Sequence, residues 1–220
     1  MSETLKSSRV TVKRHPERGE YDRATIDAIL AEGLMAHVGF VVEGQPFVIP
    51  TLYATIDDAL YFHGAVANRM LATMANGFPV CVTVTLLDGL VMARSHYNHS
   101  ANYRSVVILG QAREVTDPDE KARSFEALVE QVAKGRWATA RQPNDVEARS
   151  TRVLAVPISE ASAKIRTGPP KDDSEDLTLP VWAGVIPLVT RAEPPIPAPD
   201  LITGLEVPGY ATNYRRPGWV

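Results

Sequence analysis

The residues best suited to chemistry in this 220-residue chain fall in two short runs. In Tyr61-Phe62-His63-Gly64-Ala65-Val66-Ala67-Asn68-Arg69, a β-rich segment ends in small residues that allow close backbone approach. A helix then opens with a cation near its first free amides, an arrangement that favours an anion. In Asn102-Tyr103-Arg104-Ser105, a guanidinium and a hydroxyl stand together at the start of a strand, which suits bidentate contact with a phosphate. Taken singly, each run fits a solvated face as well as a site. Five histidines occur, at positions 15, 37, 63, 96 and 99. Only His96 and His99 are close, and no acidic residue beside them completes a zinc triad. They read as loop histidines that hydrogen-bond or touch a ligand. No Gly-x-Ser-x-Gly elbow, phosphate loop or dinucleotide fingerprint is present, so a bound phosphate must rest on arginines and hydroxyls carried by strands. Cys81, inside the apolar run from Pro79 to Val84, reads as a structural thiol.

Positioning these groups requires a β-rich frame. Ile26, Ile29 and Leu30 at helical spacing, followed by Gly33, predict a short helix over 22–32. Residues 34 to 65 then alternate short β-rich runs with turn signals, predicting three strands. A helical stretch covers 68–74. Strands over 80–86 and 90–95 flank Leu87-Asp88-Gly89, which reads as a hairpin turn. One long strand, bulged at Gly110, follows from 103 to 115. Asp117, Pro118 and Glu120 carry the signature of a capped helix start, and Phe125, Leu128, Val129 and Val132 predict that the helix over 119–134 plugs one end of a barrel. A last strand covers 151–158. Closely spaced strands with few helices between them predict an antiparallel barrel or sandwich and not a βαβ sheet.

The expected organisation is an N-terminal arm over 1–22, a barrel domain over 23–166 and a Pro-rich loop and extension over 167–220. That extension either dangles or wraps a partner subunit. A net charge of −3 and a pI near 6.0 give no field for gathering nucleic acid or an anionic membrane, so any anionic ligand needs a local cluster of cations. With no apolar run long enough for a signal or a spanning helix, the expected location is cytoplasmic.

Four blocks in order resemble the pyridoxamine-5′-phosphate-oxidase-like, FMN-binding split-barrel proteins, in particular their flavin-nucleotide-binding and nitroimidazole-resistance branch. They are Val48–Tyr53, Tyr61–Ala65, Asp88–Ser95 and Asn102–Val107. The resemblance implies a mainly β, six-stranded antiparallel split barrel, a homodimer, and FMN in clefts between the subunits. It would place Ile49, Pro50, Thr51, Tyr61, Phe62 and His63 along the isoalloxazine ring. Asn68 and Arg69 would approach the phosphate, with Asn102, Arg104 and Ser105 nearby. Trp182 would pack near the ring or the dimer seam, or else in the core. The C-terminal Tyr214-Arg215-Arg216-Pro217-Gly218-Trp219-Val220 departs from the substrate block of the true oxidases, which argues against vitamin B6 oxidation. The flavin would supply the redox chemistry. The expected activity is a flavin-dependent oxidoreductase acting on a small molecule, with NAD(P)H a further partner and His63, His96 or His99 available for proton delivery. The alternatives are a non-catalytic flavin carrier or sensor, or a barrel that holds a deazaflavin or haem instead.

Overall fold

The computed structural model describes residues 4 to 219; Met1, Ser2 and Glu3 of the expected arm and Val220 of the expected extension lie outside them. In chain order the elements are β1 (Gly19–Glu20), α1 (Arg23–Glu32), β2 (Met35–Val42), β3 (Gln45–Leu52), β4 (Ala54–Ile56), β5 (Ala59–Ala65), α2 (Arg69–Met74), β6 (Asn76–Met92), β7 (Ser100–Glu114), α3 (Pro118–Val132), α4 (Asp145–Ser150), β8 (Thr151–Pro157), β9 (Ala161–Arg166), β10 (Gly184–Pro187) and α5 (Gly209–Thr212). The fold is mainly β and antiparallel, as expected. The strand count is not. Ten strands form one sheet ordered β3-β2-β6-β7-β8-β5-β4, with β1 on β9, β9 also on β7, and β10 on β6. Among the described residues no pairing joins β3 to β4, so the path is open and not a closed six-stranded ring.

The difference arises from two long strands that each serve several neighbours. The first half of β6 pairs with β2 and its last residues with β10. Strand β7 pairs with β6 along its length, with β9 through its first half and with β8 at its end. Asp88-Gly89 is therefore not a turn. It marks a bulge, the register shift lying between Leu87 and Gly89. A Cβ on Gly89 would meet the Ile186 carbonyl oxygen at 3.1 Å, so the glycine lets β10 approach closely. The other register shift lies between Asn76 and Phe78, and β7 runs through Gly110 without one.

The main core gathers alternate residues of β2, β6, β7 and β8 around Ile26, Ile29 and Leu30 of α1. Helix α1 starts where predicted: the Asp22 carboxylate accepts from the Thr25 amide at 2.9 Å. The helix that fills the inside of the sheet is thus α1. Helix α3, capped by Asp117, does not plug an end as expected but lies against β4 and β5. Strands β5 and β8 are apolar on both faces: Phe62, Leu154 and Val156 enter the main core, while Tyr61, Val153 and Ala155 form a second cluster with Phe125 of α3. Val132, at the end of α3, stays 37% exposed.

Both flanking segments are tied to the sheet. Leu5 and Val10 are buried, Thr4 bridges Asp22, and β1 pairs with β9. At the other end, Arg216 donates to the carbonyls of Ala31 (2.9 Å), Glu32 (3.2 Å), Gly33 (3.0 Å) and Gln131, and the Tyr214 hydroxyl donates to the Val132 carbonyl at 2.6 Å. Among the described residues no helix is long and apolar enough to cross a membrane.

Candidate cofactor site

The edge formed by β3 and β5 brings together part of the predicted set. Leu52 and His63 line one cavity of about 240 Å³ with Leu128, Val129, Val132, Ala133 and Arg136, so an imidazole faces an apolar wall with a single cation at its margin. Burial against that wall pushes the His63 pKa down, which favours the neutral ring at neutral pH. Next along β3, Pro50 is exposed and Thr51 half-buried, neither lining this cavity, and the Thr51 hydroxyl donates to the Leu52 carbonyl at 3.1 Å. Ile49 leans on the main core. At the end of β5, Gly64 admits α2: a Cβ there would lie 2.4 Å from Leu71 Cδ1. Asn68 caps α2, its side-chain oxygen accepting from the amides of Met70 (3.0 Å) and Leu71 (3.3 Å). Arg69 next to it is exposed and forms no ion pair among the described residues. Pro50, Thr51, His63 and Arg69 are therefore the predicted residues of β3, β5 and α2 that remain open to a ligand.

Phe62, Tyr61, Arg104, Ser105 and Asn102 are engaged elsewhere, whereas Trp182, His96 and His99 lie exposed and apart. Phe62 is wholly inside the core, because it alternates with the outward-facing Tyr61 and His63. Tyr61 lies under α3, where its hydroxyl donates to Glu120 at 2.8 Å; burial first, then Glu120, pushes its pKa up to about 12. Arg104 is held between two carboxylates, donating to Glu32 at 2.9 Å and to Asp88 at 2.7 and 2.9 Å. A phosphate at Arg104 would have to displace both carboxylates. Ser105 donates to the Lys164 carbonyl at 3.4 Å. The Asn102 side chain accepts from Arg166 and donates to the Gly168 carbonyl at 3.1 Å. Trp182 is 66% exposed, its ring lying over Gly184 beside β10, and so it is not a core residue. His96 and His99 sit on the β6–β7 connection, ring centroids 6.3 Å apart, and line no cavity in common with His63.

The sequence points to Arg14 and Arg18 as an arm that could reach toward a cofactor, but not to the two groupings that follow. Arg136, far downstream of β5, reaches the His63 cavity. A second, strongly basic cavity gathers Arg14, Arg18, Lys164, Arg166 and Lys171 from both ends of the chain. Only strand register makes either visible, since neither set is periodic or contiguous.

The family model described as pyridoxamine 5′-phosphate oxidase matches residues 22–165. The chain belongs to that family. Among solved structures, the chain is similar to the flavocytochrome Anf3 from Azotobacter vinelandii, 41% identical with a TM-score of 0.90, covering 95% of this chain and 97% of that one. A FAD and haem binding protein from Mycobacterium smegmatis is 33% identical with a TM-score of 0.85, covering 89% and 96%. A candidate 5-nitroimidazole antibiotic resistance protein from Bacteroides thetaiotaomicron, 23% identical with a TM-score of 0.55 over 67% of this chain and 86% of that one, shares the fold. No curated protein matches the chain.

Proposed function

We propose that this member of the pyridoxamine 5′-phosphate oxidase family is a flavin-dependent oxidoreductase. Its flavin, FMN or the FMN portion of a dinucleotide, lies in the groove of β3 and β5, with the ring near Pro50, Thr51 and His63 and the phosphate toward Arg69. The observation that carries this reading is the pairing of small or flat groove residues with an unpaired exposed arginine, in a chain that aligns end to end with two proteins named for flavin and haem. A homodimer fits the same picture. Val48 and Met35, 65% and 45% exposed, make the outer face of β2 and β3 apolar, as expected of a surface that a second copy covers. When bound, the flavin supplies the electron transfer. The protein binds it, keeps water from the ring, and holds a neutral imidazole at His63.

A second reading has one specific observation in its favour. The His63 cavity combines one imidazole, an apolar wall of Leu52, Leu128, Val129 and Val132, and one cation, Arg136, whose guanidinium pairs with no carboxylate among the described residues. That donor set suits a haem, with His63 the iron ligand and Arg136 toward a propionate. The two readings compete for His63. Ala65→Trp, at the exposed end of β5, separates them. Filling the flavin groove should weaken FMN uptake by about tenfold or more while sparing haem content. Unchanged FMN uptake in a folded Ala65→Trp variant contradicts the groove placement.

A further inference from the structure

One strongly cationic cavity plays no part in the proposed flavin groove. Between the N-terminal arm, the β6–β7 connection and β9 lies a cavity of about 590 Å³ lined by Arg14, Arg18, Lys164, Arg166 and Lys171, with no carboxylate among its lining residues. The whole chain carries a net charge of −3, so this concentration of cations is local. Arg18 comes within 3.8 Å of Glu17; the other four form no ion pair among the described residues. Arg166 is the most telling. It is 6% exposed, yet its guanidinium meets only neutral acceptors: the Asn102 side chain, the Gly168 carbonyl at 3.3 Å and the Pro169 carbonyl at 3.2 Å. Burial, and then Arg18, push its pKa down from the usual arginine value. A buried cation among like charges, with no counter-charge from the protein, is costly unless a ligand supplies one.

The rim adds two features. Tyr97 is 91% exposed at the edge of the cavity, a free ring on which a base can stack. His15, also at the edge, pairs with Glu17 at 3.2 Å and so leaves the cations deeper in the cavity, Arg18 excepted, without that carboxylate. Five cations exceed what one phosphate needs, and an aromatic platform beside them suits a base.

We propose that this cavity binds a nucleoside diphosphate group, carried by a free nucleotide or by the adenylate half of a dinucleotide. The test is isothermal titration of the purified full chain with ADP, pyrophosphate and adenosine, for wild type, Lys164→Glu and Lys171→Glu. Lys171 lies on an exposed loop, so its variant keeps the fold even if Lys164→Glu does not. ADP and pyrophosphate should bind, adenosine should bind at least about tenfold more weakly than ADP, and each charge reversal should weaken ADP by about tenfold. ADP binding should also weaken with salt and persist in Ala65→Trp, so this site and the flavin groove can fail separately. Tighter binding of FAD or NADPH than ADP supports the dinucleotide source, and the reverse supports the free nucleotide. No uptake of ADP or pyrophosphate at low salt, or equal ADP binding by wild type and Lys171→Glu, overturns the proposal.

Discussion

Arg104 shows how a side chain's partners decide its role. Its guanidinium bridges Glu32, 8% exposed at the end of α1, to Asp88 at the β6 bulge, and so ties a helix to the sheet. Arg104→Ala would leave the Glu32 carboxylate buried without a counter-ion. The variant should lose about 2 kcal/mol of stability, less than a fully buried pair because the site is partly open. Denaturant unfolding measures that loss, and flavin content per folded chain should be unchanged. His63 makes a prediction with the opposite logic. Its folded pKa is lowered, so the unfolded chain binds a proton that the folded chain refuses. Stability is then flat above the unfolded value of about 6.5 and falls as pH drops below it. The loss of stability from about pH 7.5 to 5 should be smaller in His63→Gln than in wild type, as read from denaturant midpoints at each pH.

At the scale of elements, local signals located the helices and long-range pairing decided the strands. Asp22 and Asp117 announce α1 and α3, because a cap is chemistry between residues three apart. Asp88-Gly89 carries the local signature of a hairpin, yet β10, almost a hundred residues later, recruits it into a continuous strand. The same limit applies to the site. The Tyr61–Arg69 run was legible as a candidate, but alternation along β5 sends Phe62 into the core, and two carboxylates far apart in sequence claim Arg104. Arg216 is another long-range tie: a cation at the C-terminal carbonyls of α1 that also reaches the end of α3. Arg216→Ala should cost about 2 kcal/mol and expose the segment from 190 onward to limited proteolysis. Arg216→Lys, able to make fewer of these bonds, should fall between wild type and Ala.

At the scale of the whole molecule, the sheet divides its labour. Its inner face and α1 form the core, and its β3–β5 edge offers the flavin groove beside an apolar outer face fit for a second copy. Separate from these, the arm and β9 gather the basic cavity. On the readings proposed above, a redox group and an anion would occupy one small chain without sharing residues. The visible absorption spectrum of the freshly purified protein, before and after anaerobic NADPH, tests the redox reading most directly. The account predicts flavin bands that bleach on reduction; a Soret band in their place would instead favour the haem reading at His63. A colourless protein that takes up neither FMN nor FAD, or a bound flavin that no nicotinamide nucleotide or dithionite can reduce, would contradict it.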